Sequence, residues 1–424
     1  MIRRPTAPLT LLALLAATAC GGSTDDAAEG AADAPMATAE ARVMRTYPRV
    51  NDIWHETLTE IRDRTPADTI VNAWWDYGYF IKYYAERRVS ADGASLLSRV
   101  PQRIGQALLA STDREAVGWL RMLNCGSDAS SEPEGERGAY ARLVAAGLTP
   151  TEAEAMLPQL VRANRDGAEK ILLGKRLGRR SRLPVLEATH CTPPDSVLLL
   201  SSEMIRMPAW WYLGGWDTTH AWIEQQVSGL DRPAAVARLR ELAYGETEAE
   251  AILDQIERGQ FGRDASKFVA NASPYLVGHW IACQADASGR RRCPMGQVSG
   301  GNKVVLDSFT YDPQAPEEGV FLIGSPAGGQ LYRARPSAVL VAGPTSLERR
   351  DSESHQAGPL LVDTVQHRIL VGPLYLLEST FTRLVFLEGR YSGEHFTSFS
   401  DRVGAAERLF AYRIGWDSDP ESAR

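Results

Sequence analysis

Residues 69–80 (Thr-Ile-Val-Asn-Ala-Trp-Trp-Asp-Tyr-Gly-Tyr-Phe) gather the groups in this chain best suited to hold a hydroxyl. An indole N–H only donates a hydrogen bond, and a carboxylate only accepts one. Trp74, Trp75 and Asp76 side by side therefore offer both halves of what a hydroxyl requires, with Tyr77 as a further aromatic wall. Gly78 permits a tight turn directly after them. A purely structural reading stands beside this one: Trp74 and Tyr79 as core aromatics, and Asp76 capping a helix that starts at Gly78.

Such a cluster needs a scaffold to present it. Ile70 and Val71 form a short β-branched run that reads as a buried strand, which places residues 74–78 just past its end. Residues 196–201 (Ser-Val-Leu-Leu-Leu-Ser) read as a second buried strand, followed by Glu203, Met204, Arg206, Met207, Trp210 and Trp211. Two segments that each follow a strand can open on one sheet edge, where open α/β sheets favour ligands. Met204, Met207 and Trp211 would supply apolar contacts there and Arg206 a cation, although their spacing also fits a core stripe on a helix.

Helices are expected over residues 54–64, 79–87, 111–123 and from Thr149 onward, the last two behind capping-box-like starts. A surface helix pair is expected over 231–259, on either side of Gly245. From Lys303 the pattern changes to short apolar runs at 304–306, 320–323, 338–341 and 368–371, separated by Gly, Pro, Asp and Ser. That is a strand-rich pattern, closed by a helix over 374–387 and a strand over 408–416. The fold class is mixed α/β: an α/β domain over residues 39–300 and a β-rich, barrel-like or sandwich-like subdomain over 301–424.

The chain begins differently. Arg3 and Arg4 precede an apolar stretch that ends in Ala17-Thr18-Ala19-Cys20, the pattern of an export signal over residues 1–19. The stretch is shorter than the about 20 residues needed to cross a bilayer. Small residues before a cysteine suggest a lipoprotein with Cys20 acylated, and residues 20–38 read as a flexible tether. The expected location is the periplasmic face of the cell envelope, membrane-anchored through Cys20. A net charge of -7 gives no reason to propose nucleic-acid binding. In an oxidising setting the other four cysteines suggest two disulfides, with Cys283 and Cys293 as the local pair and Cys125 with Cys191. Zinc is the rival reading, with His190 its lone adjacent histidine.

Trp74-Trp75-Asp76-Tyr77-Gly78 is, letter for letter, the WWDYG signature of oligosaccharyltransferase catalytic subunits of the STT3, AglB and PglB type, and the chain resembles that family over roughly residues 48–417. The flanks Asn51-Asp52-Ile-Trp54 and Thr65-Pro66-Ala-Asp68 are similar too, as is a C-terminal stretch whose clearest part is Phe381-Thr-Arg-Leu. The resemblance implies that Trp74, Trp75, Asp76, Tyr77 and Gly78 recognise the Ser or Thr of an N-x-S/T sequon in an acceptor polypeptide. It also implies a second acceptor-site element. Glu203-x-x-Arg206-x-x-x-Trp210 resembles its D-x-x-K-x-x-x-M/I form, and Met204-x-x-Met207-x-x-x-Trp211 its M-x-x-I form. The family's catalytic acids and its divalent metal (Mn or Mg) belong to a multi-spanning membrane domain with no counterpart in these residues. No catalytic residue or cofactor is therefore assigned to this chain. The expectation is an acceptor-recognition domain that works with a separate membrane glycosyltransferase subunit. A non-catalytic peptide-binding or structural envelope lipoprotein is the alternative.

Overall fold

The computed structural model describes residues 51–416 except 96–97, 127–137, 208–209, 212–213, 216–222, 225, 243, 258–277, 301–303, 325–330 and 352–356. The expected signal segment, Cys20 and the tether lie outside the described residues.

The sheet that carries the signature is assembled from distant parts of the chain. Its strands are β1 (Ile70–Asn72), β2 (Arg88–Val89), β3 (Ser196–Ser201), β14 (Phe396–Val403) and β15 (Arg408–Ile414), in the order β14-β15-β3-β1-β2. β1 lies parallel to both β2 and β3, with Ile70 opposite Arg88 and Ser196. β15 runs antiparallel to β3 and pairs Leu409 with Ser201. All residues of β1 and β3 are buried, as the unbroken apolar runs required for strands covered on both faces.

Helices cover this sheet. α1 (Asp52–Arg64) is capped by Asn51, whose side chain accepts from the Trp54 N–H, and it buries Trp54, Leu58 and Ile61. α2 (Val100–Leu109) and α3 (Asp113–Gly126) follow β2. Asn124 on α3 donates to the Ser196 hydroxyl at 3.3 Å, which fixes α3 over β3. The start of α3 is capped by Thr112, which accepts from the Glu115 N–H at 3.2 Å. α4 (Ala139–Ala145) precedes α5 (Pro150–Arg162), where Thr149 and Glu152 form the full capping box that their spacing predicts. α6 (Arg165–Gly174) and α7 (Arg179–Thr189) lead to β3. The disulfide Cys125–Cys191, with Cα atoms 5.7 Å apart, ties the end of α3 to the segment before β3. His190 beside it engages the Thr189 hydroxyl at 2.7 Å and the Ala163 carbonyl at 3.0 Å. α8 (Arg232–Glu241) and α9 (Glu246–Glu257) are the surface pair, clasped by Arg232 on Glu250, Asp254 and Glu257.

The remaining strands form two further five-stranded sheets. One, in the order β11-β10-β12-β13-β4, contains β4 (Ile281–Ala282), β10 (Ala338–Ala342), β11 (Leu347–Asp351), β12 (Leu360–Asp363) and β13 (Arg368–Val371). The other, in the order β5-β6-β7-β8-β9, contains β5 (Gln284–Ala285), β6 (Arg291–Gly300), β7 (Val304–Asp312), β8 (Ala315–Gly324) and β9 (Tyr332–Ala334). Phe309 and Phe321 from the second meet Val339, Leu360 and Ile369 from the first in one shared core. Two sheets enclosing one core are a sandwich, and neither sheet closes into the barrel that was the other expectation. The disulfide Cys283–Cys293 bridges β4–β5 to β6, with Cα atoms 4.1 Å apart.

The chain then returns to the first sheet. Where one helix is expected over 374–387, a short α-helix (Leu374–Leu377) is followed by a π-helical turn (Thr382–Phe386). Buried Arg383 explains the break. It reaches Asp113 at 3.0 Å, the Ser111 carbonyl at 2.7 Å and the Thr380 hydroxyl at 2.7 Å, and so pins this turn to the α2–α3 corner. No helix of the described residues is long and apolar enough to cross a membrane.

Candidate functional site

The signature leaves β1 as a single 3-10 turn, Trp75–Tyr77, continues through the helical turn Gly78–Phe80, and widens to a π-helical turn over Ile81–Ala85. The sharp exit divides its side chains between core and surface. Trp74 is 1% exposed and stands 6.2 Å from the Trp75 ring, while Trp75 and Asp76 are half-buried. The Trp74 indole N–H is buried without an acceptor among the described residues. Asp76 does not act as a helix cap, because the helical turn's first position follows Tyr77, which makes no side-chain cap.

Gly78 has a role other than the turn expected of it. Its φ is -57°, ordinary helical backbone open to any residue. What it lacks is room: a Cβ there would stand 2.2 Å from the Ala91 carbonyl oxygen and 2.6 Å from Asp92 Cα. The turn is thus pressed against the loop after β2. That loop is itself rigid, since buried Asp92 takes Lys82 Nζ at 2.5 Å and the Ala94 N–H at 2.9 Å. Ser95 closes it by accepting from the Asp92 N–H at 2.8 Å.

The second segment leaves β3 in a similar way, as the 3-10 helix Ser202–Arg206, capped by Ser201, which accepts from the Glu203 N–H. Tyr77 joins the two segments: its hydroxyl lies 3.5 Å from Met207 Sδ across 130 residues of sequence. Not all of the second segment reaches the site. Met204 is fully enclosed and Trp211 is 5% exposed, so both belong to the core, with Trp210 donating to the Met204 carbonyl at 2.8 Å. Arg206 is exposed and Met207 half-buried, which leaves these two at the surface, Met207 beside Tyr77.

The sequence pattern offers no sign of Glu407, which organises the site from below. One of its carboxylate oxygens accepts from Asn51 at 2.7 Å and from the Trp54 indole at 3.0 Å; the other accepts from the Ser201 hydroxyl at 2.7 Å. Trp54 in turn lies 4.6 Å from the Tyr77 ring. Burial first, and then the charges of Asp76, Glu407 and Glu203, push the Tyr77 phenol well above its usual range. Tyr77 therefore stays protonated at any physiological pH. Met207 meets the neutral phenol and Asp76 is near enough for its charge to act on it, while half-buried Trp75 precedes Asp76 in the same turn; a carboxylate and a thioether about a phenol suit a hydroxyl beside a small apolar group. Among the described residues no group of three or more His, Cys, Asp or Glu is placed to hold a metal ion.

Comparison with protein families falls on the same stretch. A family model described as the STT3/PglB/AglB core domain matches residues 67–137. The dolichyl-phosphooligosaccharide-protein glycotransferase of Methanocaldococcus jannaschii is 28% identical over 173 residues, covering 40% of this chain and 18% of that protein. The protein of the same name from Methanococcus voltae is 26% identical over 176 residues, covering 41% of this chain and 18% of that protein. The aligned part thus spans less than a fifth of either relative. A solved structure, the C-terminal domain of C. jejuni PglB, superposes with a TM-score of 0.37 at 11% identity, covering 85% of this chain and 98% of that one. The WWDYG at the end of β1 lies inside residues 67–137 matched by the family model, and together with the curated relatives this supports an oligosaccharyltransferase-related domain of the STT3/PglB/AglB type in this chain.

Proposed function

We propose that this domain recognises the acceptor polypeptide in protein N-glycosylation, holding the Ser or Thr of an N-x-S/T sequon against Trp75, Asp76 and Met207. The observation that carries the reading is the 3.5 Å approach of the Tyr77 hydroxyl to Met207, because it makes one edge of the two strand exits. Asp76 accepts the acceptor hydroxyl's proton in a hydrogen bond, Trp75 supplies a donor, and Met207 faces the threonine methyl. Trp74 backs Trp75 from the core. Met204 and Trp211 support the Met207 wall from within.

Transfer of a glycan to an asparagine nitrogen needs a lipid-linked donor site and acidic residues that hold a divalent metal. Among the described residues no group of three or more His, Cys, Asp or Glu is placed to hold that metal. A separate multi-spanning membrane subunit supplies both in this proposal. The chain itself is exported and anchored by acylated Cys20. Two disulfides support an oxidising compartment, and mass spectrometry of membrane-extracted protein should show acyl chains on a mature N-terminal Cys20.

The acceptor reading is tested with Asp76→Asn. A hydrogen bond to a charged group is worth about 1.5–3 kcal/mol, so binding of an N-x-T peptide should weaken about tenfold or more. Peptide affinity unchanged by Asp76→Asn, with the fold intact, would remove the acceptor role. Unchanged glycosylation in cells of the source, despite lost peptide binding, would instead favour a peptide-binding lipoprotein that transfers nothing.

A further inference from the structure

The turn between α6 and α7 carries a surface that nothing in the acceptor reading uses. Residues 175–182 read Lys-Arg-Leu-Gly-Arg-Arg-Ser-Arg, five cations in eight residues of a chain whose net charge is -7. Lys175, Arg176, Arg179 and Arg180 are all exposed. Leu173 before them is 49% exposed and Leu183 after them 38%. Arg179, Arg180 and Leu183 lie three and four residues apart on α7 and so share one face of it.

Local structure gives these residues no reason to be there. Arg176 sits at a φ of 60°, the left-handed region that disfavours side chains. Arg179 and Arg180 occupy the first turn of α7, where the helix dipole is positive and a cation is unfavourable, and Gly178 offers no side-chain cap. Acidic neighbours do little to neutralise the patch. Glu152 of α5 stands 3.9 Å from Lys175, Glu169 of α6 is held by Arg182 at 3.3 Å, and exposed Glu187 lies a turn beyond Leu183. Three unfavourable choices at one turn call for an outside partner to offset them.

We infer that this turn docks on an anionic phospholipid surface, the four cations meeting headgroup phosphates while Leu173 and Leu183 enter the interface. A bilayer uses both features at once: cations attracted to anionic headgroups and apolar side chains among the acyl chains. A nucleic-acid backbone would gain nothing from the leucines. The inference is independent of both the acceptor site and the Cys20 anchor.

The test uses the full-length chain carrying Cys20→Ala, so that no acyl chain contributes, pelleted with vesicles of equal parts phosphatidylcholine and phosphatidylglycerol. Binding is expected at low salt, and pure phosphatidylcholine vesicles should recover almost none. Replacing Lys175, Arg176, Arg179 and Arg180 with glutamine should weaken binding on the order of a hundredfold or more, at about fivefold per cation. A control with Arg240, Arg292, Arg333 and Arg335 changed to glutamine alters net charge equally and should bind as the parent does. Leu173→Ser with Leu183→Ser should weaken binding while leaving its salt dependence in place. Failure of the parent to bind anionic vesicles, as would follow if an acidic protein were the partner, overturns the inference. Equal weakening by the control overturns it as well. The four-glutamine variant should still bind an N-x-T peptide, so this result and the acceptor result are read separately.

Discussion

β1 and β3 are parallel neighbours, and each ends in a 3-10 turn that faces the same edge. The two turns are held there by opposite means. After β1 the backbone is squeezed: Gly78 touches Ala91 and Asp92 so closely that no side chain fits between them. After β3 the turn is tied by hydrogen bonds, the Ser201 hydroxyl to distant Glu407 and the Met204 carbonyl to Trp210 six residues on. The consequence is a difference in what each turn can display. The squeezed turn keeps consecutive residues Trp75 and Asp76 at the surface in a fixed pose. The tied turn shows Arg206 and Met207 and buries Met204, Ile205 and Trp211. Steric contact demands a particular residue at a particular position, which is why a short letter string suffices for the first. Hydrogen-bond ties accept many sequences, so the second is only loosely patterned.

The largest effect should come from cutting the tie. Glu407→Leu leaves Asn51, Trp54 and Ser201 without their acceptor in a site only 9% exposed. Stranding such buried partners should cost about 4 kcal/mol in a denaturant titration, and Glu407→Gln roughly half of that. A smaller loss for Glu407→Leu than for the glycine variant below would reverse the comparison.

Gly78→Ala should cost about 2 kcal/mol, the usual range for overpacking, because the Ala91–Asp92 loop must back away. It should also displace Trp75 and Asp76, so peptide binding falls beyond what stability explains. A variant as stable as the parent, with Trp75 fluorescence unchanged, would show that the turn is not squeezed at all.

The smallest effect is one of pH and belongs to the β3 side alone. Burial first, opposed in part by the bond to Ala163, holds the His190 imidazole below its usual range. The unfolded chain then takes up a proton before the folded one does. Stability contributed by neutral His190 is complete above the unfolded value of about 6.5 and declines as pH falls through it towards the lower folded value. His190→Gln should flatten that part of the melting-temperature profile as pH falls below about 6.5, and an identical slope in the variant would discharge His190 from the role.

Much of the frame was legible in advance because its causes are local. The Thr149–Glu152 capping box, the strands of 70–72 and 196–201 and the Cys283–Cys293 disulfide follow from spacing and chemistry that neighbours in sequence already carry, and Cys125–Cys191 is the pair that remains among the four cysteines. The expectation of one helix over 374–387 missed the π-helical turn, since the reason for it, Arg383 reaching Asp113, spans 270 residues. Glu407 escaped notice for the same reason: nothing beside it in the chain marks it as an acceptor for three donors from α1 and β3.

By itself, then, the sequence determined the identity of the signature, the strand behind it and the chemistry its residues can offer, because those depend on residue types and on short-range periodicity. Which of those residues face outward was decided only by tertiary structure. Met204 and Met207 are three residues apart and chemically alike, yet one is sealed in the core and the other meets Tyr77. That choice rests on contacts across 130 residues and more, and a contact between distant segments exists only once the chain has closed on itself.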